Sequence, residues 1–343
     1  MTRPILLGIV GDSAAGKTTL ARGMVRILGE EQVTHFSADH YVRYDREQRA
    51  RHRITPLNPA ANHLDILEQH LHHLRVGEAI IKPVYRHADG TFGAGEYVEP
   101  RRFIVIGGLL GFHTASMRDA YDVRVFLYPP EDLRRRWKVQ RDCSRRGYTT
   151  DEVLSELDGR EADAQQFVRP QRLHADIVIS FMPGDRGDAE HLDVRVTLGH
   201  GLVHPNLGPA VAEASGAVSL RELERGLSLW VSGTISAGES EAIQAAVWDE
   251  MSFAGHLRTD RLGEFTVGTE LHRSETLAIT QLLVLYQLVK ARAAIVLGAD
   301  GMRADPSPLA PATATKRDVG EAALTQPQRT SSPEQASPRA RIA

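Results

Sequence analysis

One stretch limits what this chain can become more than any other: Gly11-Asp12-Ser13-Ala14-Ala15-Gly16-Lys17-Thr18-Thr19. Glycine, four residues, then Gly-Lys-Thr is the spacing of a phosphate-binding loop. Before it runs Ile5-Leu6-Leu7-Gly8-Ile9-Val10, short and apolar as a buried parallel strand is. After it, residues 18–28 can form an amphipathic helix. A glycine-rich turn that matched by chance would bring neither. Gly11 and Gly16 let the backbone wrap so that consecutive N–H groups point at phosphate oxygens, and the helix N-terminus adds to the attraction. Lys17 would reach the β- and γ-phosphates, and the Thr18 hydroxyl would ligate Mg²⁺. The stretch predicts an α/β fold of the P-loop NTPase type, a mostly parallel sheet flanked by helices, with a nucleoside triphosphate as ligand.

The rest of the chain fits that expectation. Apolar runs at 33–37, 102–106, 122–127 and 176–181 read as strands, and helical patterns cover 62–75, 130–145 and 150–161. Thr150 followed by Asp151 and Glu152 supplies a cap and an acidic first turn. Residues 82–87 run into Asp89-Gly90, the turn signal of an exposed hairpin arm. A second region restarts at 192–198 with strict alternation, continues with a strand at 226–231, and adds helices at 239–251 and 274–295. From about Gly298 the composition turns to Ala, Pro, Ser, Thr and Arg without an aromatic residue, too little to repay ordering. The expected organisation is a kinase-type core at 1–189, an α/β extension at 190–296 and a disordered tail at 297–343.

Composition narrows the partners. With 41 Lys and Arg against 44 Asp and Glu, the net charge of −3 argues against a general nucleic-acid binder. No apolar run approaches the ~20 residues that cross a bilayer, so no membrane segment is expected. The chain enters its first strand at once, without room for a signal peptide. Cys143 is the only cysteine, so no internal disulfide can form and a cytoplasmic location is expected.

Asp39 directly follows the second strand, at the sheet edge where ligands of such folds sit. A carboxylate there can accept a proton from a substrate hydroxyl, though a turn aspartate would occupy the same position. Arg43, Arg46, Arg49, Arg51 and Arg53 follow, either a solvated helix face or a site for a phosphorylated substrate. Lys138, Arg141 and Arg145 recur at helical spacing with Asp142 and Arg146 beside them, and guanidinium forks suit phosphate. The histidines of Gln69-His70-Leu71-His72-His73 have no convincing ligand spacing and read as a helix surface.

Taken in order, these pieces resemble the phosphoribulokinase and uridine kinase family of P-loop kinases over about residues 4–296. The resemblance rests on the phosphate loop, Asp39, Tyr44-Asp45-Arg46-Glu47-Gln48-Arg49, Asn58-Pro59-Ala60-Ala61-Asn62-His63-Leu64-Asp65 and Lys82-Pro83-Val84-Tyr85-Arg86-His87. Its strongest part is Trp137-Lys138-Val139-Gln140-Arg141-Asp142-Cys143-Ser144-Arg145-Arg146-Gly147-Tyr148, then Arg160 and Pro170-Gln171. The Arg146-Gly147-Tyr148 run and the extra C-terminal region look more like the phosphoribulokinase branch. The resemblance implies ATP and Mg²⁺, and Asp39 as the base toward the C1 hydroxyl of ribulose 5-phosphate, the Calvin-cycle reaction. It implies sugar-phosphate contacts from Arg46, Arg146 and Arg160, with Lys138 and Arg141 near the reacting phosphoryl group. Tyr85 and His87 match the substrate-facing arm and Asp142 a second active-site carboxylate. Dithiol control through the loop cysteine of plant and cyanobacterial members is excluded, because Ala15 stands there.

Two positions depart from the pattern. Family members read Val-Ile-Glu-Gly-Leu where this chain reads Val105-Ile106-Gly107-Gly108-Leu109, so the acidic residue that helps hold Mg²⁺ is missing. Many bacterial members carry a histidine where Val42 stands, and His40 nearby would point elsewhere in an extended segment. A nucleoside kinase or a nucleotide-binding sensor with impaired chemistry therefore stays open beside a sugar-phosphate kinase. The apolar face of 274–295, with Leu282, Leu285, Tyr286 and Val289, could serve a homodimer, though packing on its own domain is the commoner use.

Overall fold

A computed structural model describes residues 2–184, 191–251, 257–267 and 269–298. The expected boundary at 189/190 and nearly all of the expected tail lie outside these residues. These residues belong to one compact unit.

The centre is an eight-stranded sheet. Its first strands are β1 (Ile5–Gly11), β2 (Val33–Ser37), β5 (Phe103–Gly108), β6 (Val123–Leu127) and β7 (Ile177–Pro183). In space they run β2-β5-β1-β6-β7, every neighbour parallel. Between β2 and β5 the chain inserts a hairpin, β3 (Ile80–Arg86) and β4 (Thr91–Val98), the arm expected from the Asp89-Gly90 turn. The extension adds β8 (Leu192–Gly199), β9 (Val218–Leu223) and β10 (Gly226–Val231) to the same sheet in the order β7-β8-β10-β9, antiparallel throughout. A small hairpin, β11 (Glu264–Val267) with β12 (Glu270–Arg273), stands apart.

Every residue of β1 is buried, so the sheet is covered on both faces. Ile5, Leu7 and Ile9 face one core with α1 (Lys17–Leu28), α8 (Ala237–Asp249) and α9 (Glu275–Val296). Leu6 and Val10 face the other, with α3 (Leu64–Arg75) and α4 (Ala115–Ala120). The short α2 (Arg46–His52), the pair α5 (Glu131–Arg146) and α6 (Thr150–Asp163), and α7 (Gly208–Glu213) complete the fold.

Two sequence expectations need correction. The cap of α6 is Thr149, not Thr150: its side chain accepts from Glu152 N–H while Glu152 reaches back, a full capping box. And α9 is long and apolar enough to cross a bilayer, with a window of mean hydropathy 1.4. Thr276, Thr280, Gln281 and Gln287 hide this by interrupting the apolar run. All residues from Thr276 to Val289 are buried, the four polar ones included. It is a core helix packed against α8, α1 and the sheet, so the face at 282, 285, 286 and 289 is taken by its own chain.

Candidate active site

The register of the sheet decides where the site lies. Ser37 pairs with Gly107, Val10 with Gly108 and Gly11 with Leu127. The loops leaving β1, β2, β5 and β6 therefore emerge side by side, where open α/β sheets bind ligands.

The loop after β1 wraps as its glycines demand. Gly16 precedes α1 at φ 97°, and a Cβ on Gly11 would lie 2.5 Å from the Leu127 carbonyl oxygen. Ala14 holds φ 65° with a side chain attached, a left-handed conformation that L-residues resist. Lys17 Nζ donates to the carbonyls of Gly11 at 2.7 Å and Asp12 at 2.8 Å, closing over the cradle that phosphate oxygens would enter. Burial pushes the Lys17 ammonium below the ordinary lysine pKa; Asp39 and Asp12 pull it back, while Arg141 and Arg134 push further down. Thr18 and Thr19 are exposed on the first turn of α1.

Two arginines that sequence reasoning missed brace the loop. Buried Arg134 donates to the Ser13 carbonyl at 3.0 Å and pairs with Glu131 at 2.5 Å. Arg169 donates to the Asp12 carboxylate at 3.0 Å and pairs with Glu161 at 2.6 Å. Burial would lower the Arg169 pKa, but its bonds to Glu161 and Asp12 outweigh that and raise it. A cavity of about 110 Å³ lies beside this bracing, lined by Asp12, Tyr128, Pro130, Arg134 and Arg169 among others. Nothing in the spacing of Arg134 or Arg169 marked them, since they meet the loop only through the fold.

Asp39 sits in a single 3-10 turn, Ala38–His40, directly after β2. Ser37 Oγ accepts its N–H at 3.2 Å, and Asp39 Oδ1 accepts the Leu109 N–H at 2.9 Å. One carboxylate oxygen anchors the side chain and the other makes no hydrogen bond among the described residues. A Cβ on Gly108 would come within 2.8 Å of Ala38 Cβ, so β5 passes this turn only with glycine there. Gly107 is different, for a Cβ there would meet only the Ile9 carbonyl oxygen, at 3.9 Å. Position 107 thus has room at its Cβ for the acidic side chain that the resemblance leads one to expect there.

These residues fit a nucleotide's phosphates: a backbone cradle, a lysine bound only to loop carbonyls, and an exposed threonine hydroxyl. For a divalent ion they offer the Thr18 hydroxyl beside those phosphates. Among the described residues no three His, Cys, Asp or Glu side chains gather into a metal cage. His70, His72 and His73 turn instead to Tyr41, Ser116 and Glu78.

The arm closes the other side. Arg46 donates to the His87 carbonyl at 2.5 Å, and its N–H to Gly90 O at 2.9 Å. Arg49, given no role of its own by the sequence, is buried and donates to Tyr85 Oη at 2.6 Å. Its guanidinium carbon lies 5.0 Å from the centre of the Tyr85 ring. His87 packs edge-on against Tyr85 with ring centres 5.0 Å apart. Partial burial and Arg146 lower the His87 pKa, with Asp39 opposing them. The phosphate loop, Asp39, the arm and α5 thus share one electrostatic neighbourhood.

The basic cluster on α5 is not free. Asp142, almost wholly buried, takes Lys138 and Arg141, the latter at 2.8 Å, and lies 3.5 Å from Arg146. Glu156 takes Lys138 at 2.9 Å and Arg160 at 2.7 Å. Burial would lift the Asp142 carboxyl, but hydrogen bonds from Arg141 and Lys138 hold it below the usual carboxylate range. Lys138 is thus an internal strut with no ammonium exposed to ligand. Arg141, Arg146 and Arg160 remain at least partly exposed. Asp142 anchors Arg141 and Arg146 and is already saturated with cations, while Glu156 anchors Arg160.

The profile of the Phosphoribulokinase / Uridine kinase family matches residues 6–186. The phosphoribulokinase of Synechocystis sp. is 35% identical over 183 residues, 53% of this chain and 55% of that protein. The uridine kinase of Lactococcus lactis subsp. lactis is 28% identical over 184 residues, 52% of this chain and 89% of that enzyme. The chain spans about half the length of the phosphoribulokinases it matches in sequence. In structure it resembles phosphoribulokinase from Rhodobacter spheroides with a TM-score of 0.53 and 18% identity, over 73% of this chain and 97% of that one. That likeness is one of fold, and it reaches beyond the stretch matched by the family profile. From phosphate loop to basic cluster, the chain belongs to the phosphoribulokinase/uridine kinase family.

Proposed function

We propose that the chain is an ATP-dependent kinase that converts D-ribulose 5-phosphate to ribulose 1,5-bisphosphate in the cytoplasm. The observation that carries this reading is the Asp39 carboxylate, anchored through one oxygen at 2.9 Å with the other unbonded, within the electrostatic reach of Lys17. Asp39 would accept the proton of the attacking hydroxyl while Lys17 counters charge on the transferring phosphoryl group. Mg²⁺, held by the nucleotide's phosphates and Thr18, would supply further neutralisation of that charge. Arg46, Arg141, Arg146 and Arg160, with Tyr85 and His87 of the arm, would bind the acceptor's own phosphate. That excess of cations supports a phosphorylated acceptor over a nucleoside, which brings no phosphate to hold. Asp142 keeps Arg141 and Arg146 in place, Lys138 ties Asp142 to Glu156, and neither would touch substrate. No nucleic acid or membrane takes part, and a homodimer would use a surface other than the buried face of α9.

Gly107 favours a second reading, a sensor that binds nucleotide and transfers nothing. ADP release from ATP·Mg²⁺ with ribulose 5-phosphate or uridine, by the unaltered chain and by Gly107→Glu, separates the two. The kinase reading expects turnover of ribulose 5-phosphate by the unaltered chain and faster turnover, at lower Mg²⁺, by the variant. Nucleotide binding without turnover of either acceptor by either protein would overturn it.

A further inference from the structure

The arm carries two residues of the site, yet it is an isolated two-stranded hairpin, and such hairpins are marginal in water unless something fastens them. Arg46 and Arg49 hold its turn and the Tyr85 hydroxyl. Ile80 and Val98 pack into the core at the open end of the hairpin, and nearer its turn a single side-chain acceptor holds the β3 backbone. Tyr85 N–H donates to His40 Nδ1 at 3.0 Å, the one backbone N–H of β3 taken by a side chain among the described residues. Pro83, two residues earlier, has no N–H to give, and the pairing with β4 is irregular between Lys82 and Val84. An Nδ1 that accepts is unprotonated, so the proton of the neutral ring is on Nε2. The His40 and His87 rings are edge-on with centres 6.5 Å apart. His40 and Asp39 belong to the same 3-10 turn.

We propose that His40 is a positioning residue that fixes the arm, and with it Tyr85 and His87, at a set distance from Asp39. One turn would then serve two purposes: Asp39 faces the phosphate loop while the next residue ties down the arm. Lys82, Glu96, Asp39 and His87 are the charged or titratable groups around the ring. Lys82 is itself paired with Glu96 at 2.7 Å, so the ring is left as the acceptor for Tyr85. The consequence for catalysis rests on the kinase reading, but the mechanical claim does not.

The test is hydrogen–deuterium exchange of the full chain over residues 80–98, at one pH, for the unaltered protein, His40→Phe and His40→Asn. Phenylalanine keeps the ring's bulk without an acceptor. Asparagine places an amide oxygen close to the position of Nδ1. Exchange in the arm should rise about tenfold in His40→Phe and return to within about twofold of the unaltered rate in His40→Asn. Exchange in β5 should stay unchanged in both. In the kinase assay the phenylalanine variant should show a raised KM for ribulose 5-phosphate with the KM for ATP unmoved, and the asparagine variant should restore it. Arm exchange that is unchanged in His40→Phe, or raised equally in both variants, overturns the proposal. If the chain turns over no acceptor at all, the kinase reading fails while the exchange data still decide the role of His40.

Discussion

The two ends of the cleft handle charge in opposite ways. At the nucleotide end the anion-binding groups are backbone N–H donors of one unbroken loop, joined by a lysine bonded only to the Gly11 and Asp12 carbonyls. At the end proposed for the acceptor every group is a side chain, drawn from α2, the arm, α5 and α6, and the cations of α5 and α6 lean on carboxylates. Asp142 and Glu156 between them serve Lys138, Arg141, Arg146 and Arg160. Backbone dipoles can point at one spot with little mutual repulsion, whereas several cations cannot. The internal anions offset the mutual repulsion of these cations, and on the proposed reading a substrate phosphate would compete with them for the same guanidinium groups.

The largest effect should come from the group between the two ends. Asp39→Asn is expected to lower turnover about 10³-fold, with ATP affinity by calorimetry nearly unchanged. A matching loss of nucleotide affinity would show that the ends are not separable. Next, Asp142→Asn strands Lys138 with Glu156 alone and should cost about 3 kcal/mol in urea unfolding. An unchanged midpoint would mean that the cations do not need their anchor. A smaller effect concerns pH. Burial, with Lys82 at His40 and Arg146 at His87, holds both histidines below their ordinary pKa. The seated arm binds fewer protons than a loose one, so its seating is complete above about pH 6.5 and is lost as pH falls through the lowered values. Initial rates across that range should show the acceptor KM rising toward acid and the ATP KM flat. Parallel rises in both would contradict a nucleotide end independent of the arm. The smallest effect belongs to Ala14→Gly, which relieves φ 65° and should stabilise the fold by about 0.5–1 kcal/mol in thermal melts.

What could be read from the sequence divides along the same line. The phosphate loop was legible because its chemistry is local: two glycines, a lysine and a threonine in order, with strand and helix on either side. Asp39 was legible because the end of a strand is itself a location. Arg49 looked like its exposed neighbours, and only the arm folding over it buries it against Tyr85. Lys138 and Arg141 read alike on a helix, yet Glu156, from the next helix, makes one a strut and leaves the other half open. The strands β11 and β12 escaped notice because they are short, largely exposed and interrupted by charge. In α9 the four polar residues suggested a helix with one apolar face, while contacts from α1, α8 and the sheet bury it all round.

Those contacts bear on how the protein is made. The outer side of α1 is finished by residues that follow it in the chain by more than two hundred positions. A side chain at Gly23 would strike Gln281, whose amide oxygen takes the Gly263 N–H at 2.7 Å. Arg26 donates to the Glu264 carbonyl at 2.6 Å, and the Ile27 carbonyl accepts Arg258 N–H at 3.1 Å. While the ribosome is still adding the extension, Met24 and Ile27 have no cover from it. The segment that matches the family, cut at 186 and expressed alone, would carry the whole loop motif on a helix with a bare apolar flank. The helix that carries the phosphate loop thus owes part of its cover to a region the family profile does not reach.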